Sequence, residues 1–250
     1  MTKIIDISAG HAPDGGIGSG AVGLVKESTE ARKITKAAVE FLNSNGVSSK
    51  DCTCTYNCSQ NECLANIVSK HNSRNSDMAV SVHLNCADEK TANGIEILVC
   101  STGGDQEKIE AAKRILAKFE KAGFKKRGIK VRTDLYFLNK TNAPAMLIEV
   151  FFCSSPKDCD LYAKYGSREL GRWIAEGLAD IKITDVMYGS VVKVKKNVKI
   201  RSTSGSNYEQ VGVLYAGAMV EVISTNKSGS RIKIGKNMWI TSNRDYIEYE

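Results

Sequence analysis

Three histidines occur in the 250-residue chain, and two stand where packing gives them no reason to be. His11 follows the first strand-like run, KIIDIS, inside the glycine-rich stretch GHAPDGGIGSGAVG. His83 lies near the end of MAVSVHLN, on the face of Ser81 and Asn85 and opposite Val80, Val82 and Leu84. Sites in α/β sheets form beyond the carboxyl ends of strands, and both histidines fall there. Two imidazoles leave a metal site one donor short, since a catalytic zinc takes three protein ligands and keeps a position open for water. Glu27, opening the first predicted helix, offers a carboxylate that also suits the positive end of the helix dipole. Glu30 competes for that role, and a plain capping carboxylate is the alternative reading of Glu27. Glu149 sits inside AMLIEVFF, where burying an unpaired carboxylate costs several kcal/mol. It is either held in a structural ion pair or functional, and beside an activated water it would be the general base. His71, near Lys70 and Arg74 on a polar helix, stays outside this group.

The elements that must position these residues are legible as apolar periods. KIIDIS, MAVSVHLN, GIEILVC and AMLIEVFF are short β-branched runs bounded by turn residues, and read as strands. Helical spacing runs from Glu27 to Asn45, closed by Gly46, and again over Asn61–Asn72 and Asp105–Ala122. SSPKD starts a further helix with a serine cap and an early proline, and a longer one covers about Ser167–Ile181. Strands alternating with helices predict an α/β fold, an open mixed sheet flanked by helices. After Ile183 the helical period vanishes, and VVKVKK, NVKIRST, AMVEVIST, SRIKIG and MWIT predict a small all-β barrel. The organisation expected is a catalytic domain over 1–182, a linker at 183–189 and a barrel over 190–250.

Composition is ordinary for a globular chain, with 42% hydrophobic and 25% charged residues. The net charge of +7 is unevenly placed: residues 187–250 hold ten Lys/Arg against five Asp/Glu, leaving 25 against 23 for the rest. That basic excess points to a polyanionic partner for the tail: nucleic acid, a membrane surface or an anionic wall polymer. The N-terminus lacks the pattern of a signal peptide, and no stretch is apolar enough to span a membrane. Synthesis in the cytoplasm is therefore expected, with all eight cysteines as free thiols. CTCTYNCSQNEC spaces its cysteines by one, three and four residues, without the paired C-x-x-C of zinc knuckles.

Residues 3–180 resemble the zinc N-acetylmuramoyl-L-alanine amidases of bacterial autolysins and phage endolysins. IDISAGHAPDGGIGSGAVGLVKE is similar to that family's opening strand, His loop and Glu ligand, SDMAVSVHLNCA to its second His motif, and NAPAMLIEVFFCSSPKD to its last motif. The resemblance implies zinc held by His11, Glu27 and His83, Glu149 as the base, and Asn85 orienting substrate or the metal's surroundings. It departs from the family in LANIVSKHN, which lacks an expected arginine, and in AGHAPD, which lacks a second glycine after the His. KNVKIRSTSGSNYEQVGVLYAGAMVEVIS and the later RIKIGKNMWIT resemble bacterial SH3-type wall-binding domains, with Tyr208, Tyr215 and Trp239 as surface or groove aromatics, or Trp239 as core. A single-stranded nucleic-acid barrel is the rival reading of the tail, but nucleic acid makes a poor partner for a wall enzyme. The function implied is peptidoglycan hydrolysis at the bond between N-acetylmuramic acid and L-alanine, at the wall, after release from the cytoplasm. A zinc peptidase or deacetylase on the same polymer is the alternative.

Overall fold

The computed structural model describes residues 3–89, 91–183, 191–226, 230–243 and 245–249. It divides into two compact units, with the boundary between Ile181 and Lys182. Beyond Ile183, the linker expected at 183–189 lies outside the described residues.

In the first unit, β1 (Ile5–Ala9), β2 (Met78–Asn85), β3 (Ile95–Val99), β4 (Lys126–Val131) and β5 (Ala145–Phe152) form one sheet in the order β1-β2-β5-β3-β4. β1, β2 and β5 run parallel, whereas β3 is antiparallel to β5 and parallel to β4, so the sheet is mixed. The helices are α1 (Glu27–Ser44), α2 (Gln60–Asn72), α3 (Gln106–Lys121), α4 (Tyr136–Lys140) and α5 (Pro156–Ala179). α2 and α4 cover one face, where Cys63, Ile67, Val68, Phe137 and Leu138 pack against Ala79, Leu98, Ala145 and Leu147. The alternate residues Val80, Val82, Ile97, Met146 and Ile148 are buried as well. Covering both faces is why these strands read as nearly continuous apolar runs. Gly171 lets α5 settle on α1, since a Cβ there would lie 2.7 Å from the carbonyl oxygen of Ile34.

The helix begun by SSPKD and the one expected over Ser167–Ile181 form a single element, broken at Gly166, whose φ of 75° only glycine adopts readily. β4 and α4 are additions to the expected elements. β4 (KRGIKV) is a charged, solvent-facing edge strand without apolar alternation, and α4 is too short to show a helical period.

The second unit is all-β. β6 (Val191–Val194), β7 (Val198–Arg201), β8 (Gln210–Leu214), β9 (Met219–Glu221), β10 (Ser224–Thr225), β11 (Arg231–Gly235), β12 (Met238–Thr241) and β13 (Ile247–Tyr249) form two sheets, β10-β11-β12-β7-β8 and β13-β6-β9. Val192, Val194, Val198, Ile200, Val222, Ile232, Ile240 and Ile247 make their shared core. Trp239 is half-buried, with the Lys233 ammonium 5.8 Å from its ring centroid.

Candidate active site

The three parallel strands deliver the predicted residues to one end of the sheet. His11 lies just past β1, His83 near the end of β2, and Glu149 in β5 directly across from His83 in the strand register. Glu27 is the first residue of α1. Its Oε1 sits 3.1 Å from His11 Nε2 and 3.1 Å from His83 Nδ1, and the ligand atoms of the three residues lie within 4.8 Å of one another. Glu30 turns elsewhere, bonding Lys33 and the Tyr162 hydroxyl. Glu27, not Glu30, therefore faces the imidazoles.

The main chain is shaped around this cluster. His11 adopts a left-handed conformation with φ of 66°, uncommon for a residue with a side chain, and Arg32 Nη2 holds its carbonyl oxygen at 2.9 Å. Glu27 is nearly fully buried and accepts from the Ala21 amide at 2.9 Å and the Leu84 amide at 3.2 Å. Burial would raise its pKa, but hydrogen bonds from His11 and His83 outweigh that and hold the carboxyl far below the usual range. Burial lowers the pKa of His83, against the pull of Glu27. His83 Nδ1 faces Glu27 Oε1 and its Nε2 lies 3.1 Å from Ser81 Oγ, so in the neutral ring one nitrogen donates and the other carries the lone pair. A cleft of about 140 Å³ opens over His11 and His83, walled by Leu135, Tyr136, Leu147 and Gln60.

Three acids occupy the buried strands, and their partners separate them. Asp6 in β1 is fully buried and paired with Arg74 at 2.7 Å and Ser76 at 2.6 Å. Glu96 in β3 takes Arg127 and Lys130, each at 2.6 Å, and Asn85 Nδ2 at 3.1 Å; these bonds overcome its burial and hold its pKa down. Glu149 differs: its Oε2 is buried without a hydrogen-bond partner among the described residues. Burial pushes its pKa up to about 8, with the Glu27 and Glu96 carboxylates adding to the rise and Arg132 opposing it. The carboxylate in the apolar strand is thus unpaired, and the cations that could have neutralised it sit on its neighbour in the register, Glu96.

Asn85 lies two residues beyond His83, but its amide is tied to Glu96 rather than to any of His11, Glu27 or His83. Glu96, Arg127 and Lys130 had no sequence signal as a group, because only the parallel pairing of β4 with β3 brings them together. His71 is a correction to the reading of a polar-surface residue: it is 2% exposed, 3.1 Å from Ser8 Oγ and edge-on to Phe137, and burial pushes its pKa down to about 4.

Residues 5–180 match the family described as N-acetylmuramoyl-L-alanine amidase. An uncharacterized Clostridium perfringens protein is 29% identical over 259 residues, spanning 92% of this chain and 76% of its own length. Among solved structures, the catalytic domain of the CD27L endolysin targeting Clostridia difficile is 28% identical with a TM-score of 0.66, covering 73% of this chain and 99% of that domain. Cwp6 from Clostridium difficile is 28% identical with a TM-score of 0.62, over 72% of this chain and 29% of Cwp6. With the site at the strand ends and the match covering the whole first unit, the chain belongs to the N-acetylmuramoyl-L-alanine amidase family and is a peptidoglycan hydrolase.

Proposed function

We propose that the chain is a zinc-dependent, endolysin-type amidase that cuts between the lactyl group of N-acetylmuramic acid and L-alanine. One observation carries the mechanism: Glu149, half-buried and with its Oε2 enclosed and unpartnered, stands in register beside a two-imidazole, one-carboxylate donor set. His11, Glu27 and His83 fit zinc, because N and O donors converge on one point from three separate segments, with main-chain amides and Ser81 orienting them. When bound there, the ion supplies Lewis-acid polarisation of the amide carbonyl and makes a water acidic enough to attack near neutral pH. In its ionised form, which a dication held at the neighbouring donor set would favour, Glu149 would accept the proton of the attacking water at its free oxygen and return it to the departing L-alanine amine. Glu96 keeps Arg127 and Lys130 occupied, so that neither forms an ion pair with Glu149.

The second unit we assign as an SH3-type wall-binding domain. Supporting it are its small two-sheet core and a groove of about 370 Å³ lined by Lys199, Arg201, Arg231 and Tyr246, together with the exposed Tyr215 and the Arg201–Tyr208 stack. On this reading the enzyme acts at the wall after release from the cytoplasm. No helix among the described residues is long and apolar enough to cross a membrane.

Mass spectrometry of digested walls tests the reaction. Free L-alanine amines should appear with glycan strands and acetyl groups intact; cleavage within the peptide, or loss of acetyl groups, would refute the amidase reading in favour of a peptidase or deacetylase. Run beside it, a 1–186 truncation should keep activity on soluble muropeptides and lose most of its lysis of intact walls. Equal lysis by both forms would remove the binding role from the second unit.

Gly10 offers a steric test of the cluster. A Cβ at Gly10 would lie 2.0 Å from His83 Cε1, so Gly10→Ala must shift the imidazole from its observed position. A displacement of about 1 Å in a reacting array can lower rates by about 10²-fold, and wall-lysis rates with zinc analysis should show both activity and occupancy falling. Unchanged values for both would mean that His83 does not need its observed position.

A further inference from the structure

The cysteine segment is not a set of scattered thiols. Cys54 and Cys63 are buried and Cys58 is half-buried, and the sulfur atoms of all three lie within 4.8 Å of one another. Cys54 Sγ and Cys58 Sγ are 3.7 Å apart, far beyond the roughly 2.05 Å of a disulfide. Four sulfurs at about 2.3 Å from a tetrahedral zinc stand about 3.8 Å from one another, so the Cys54–Cys58 separation is that of neighbouring ligands.

Local structure holds the three in place. Thr53 Oγ1 accepts from the Ala9 amide at 2.9 Å, anchoring the segment beside β1. Cys58 directly precedes Ser59, the N-cap of α2, whose capping box with Glu62 fixes the first turn that carries Cys63. A helix start favours negative charge. Arg32 lies within electrostatic reach of Cys54 and Cys63, and would offset the single negative charge left when three thiolates surround a dication.

We infer that Cys54, Cys58 and Cys63 form a second metal site, which takes a thiophilic divalent ion such as zinc and leaves a fourth position for water or another donor. The site clips the segment after β1 to the start of α2. It also borders the first cluster, because Cys63 lines the cleft over His11 and His83, and Arg32 holds the His11 carbonyl oxygen. It stands on the sulfur geometry alone and is independent of the hydrolase reading.

The test is anaerobic titration of the metal-stripped full chain with cobalt(II). Two ions should bind per chain, and one should bring the intense near-ultraviolet absorption of sulfur-to-metal charge transfer, which histidine and carboxylate donors do not give. His83→Ala should keep that absorption, and Cys58→Ser should lose it together with one ion while retaining the other. If Cys58→Ser fails to fold by circular dichroism, iodoacetamide decides on the unaltered chain: zinc should slow alkylation of Cys54, Cys58 and Cys63 several-fold and leave the exposed Cys86 unaffected. Absence of the charge-transfer absorption, equal alkylation with and without zinc, or a Cys54–Cys58 disulfide in freshly isolated protein would each overturn the site.

Discussion

Glu149→Gln should lower turnover by about 10²–10⁴-fold, the contribution typical of a positioned general base, while zinc content stays at the unaltered level. Gln matches Glu in shape but cannot take a proton, so the substitution isolates the proton transfer from metal binding. Single-turnover rates on muropeptides, paired with metal analysis, provide the measurement, and near-normal turnover would end the assignment. The same variant carries a stability signature in metal-free protein. Glu149 has an ordinary pKa of 4.5 when unfolded and about 8 when folded, so the folded state holds the extra proton. Below pH 4.5 both states are protonated and the group is neutral in its effect. As pH rises from 4.5 to about 8 the unfolded chain releases the proton that the folded chain still holds, so stability falls across that window and levels off above it. Since a tenfold change in proton affinity corresponds to about 1.4 kcal/mol, the loss is on the order of a few kcal/mol. Metal-free Glu149→Gln should therefore melt above the unaltered chain at pH 9 and together with it at pH 4.5. The reverse order at pH 9 would mean that Glu149 has a cationic partner in solution.

The second large effect concerns the donors. Removing groups that merely orient a metal ligand costs about 10–100-fold in affinity or activity, so His11→Ala, His83→Ala or Glu27→Ala should exceed that and bring wall lysis to background. Glu27→Ala should also be the least stable of the three, because the Ala21 and Leu84 amides lose their acceptor. Glu27→Gln keeps a side-chain oxygen for those amides and should restore stability more than activity. Inductively coupled plasma analysis of the folded variants is the check. Undiminished zinc in both histidine variants would remove the cluster as the catalytic metal site.

Much of this was legible in the sequence, and the gaps have physical causes. β1, β2, β3 and β5 stood out because helices cover both faces of the sheet and demand unbroken apolar runs. The placement of His11, Glu27, His83 and Glu149 at one end followed from strand polarity, which is a local property. Edge strand β4 was invisible because solvent, not a core, meets most of its side chains. The Glu96–Arg127–Lys130 group depended on strand order, which no local pattern encodes. His71 illustrates the opposite failure: charged neighbours on the helix suggested an exposed face, whereas its own ring turns inward to Ser8 and Phe137. Asn85 was placed at the right point in the chain, but its partner, Glu96, lay on a strand whose direction had not been assigned.

The donors of the catalytic cluster are far apart in the chain. From His11 to His83 is 72 positions, and Glu149 comes 66 later, whereas Cys54 and Cys63 are nine apart. Loop-closure entropy must be overcome before the distant set can meet, so it assembles only once β1, β2 and β5 have docked. A chain emerging from the ribosome has its metal donors once β2 is made, but no base beside them until β5 arrives. Competence to cut the wall is thereby tied to completion of the sheet, and fragments ending before residue 145 would be inert however much metal surrounded them.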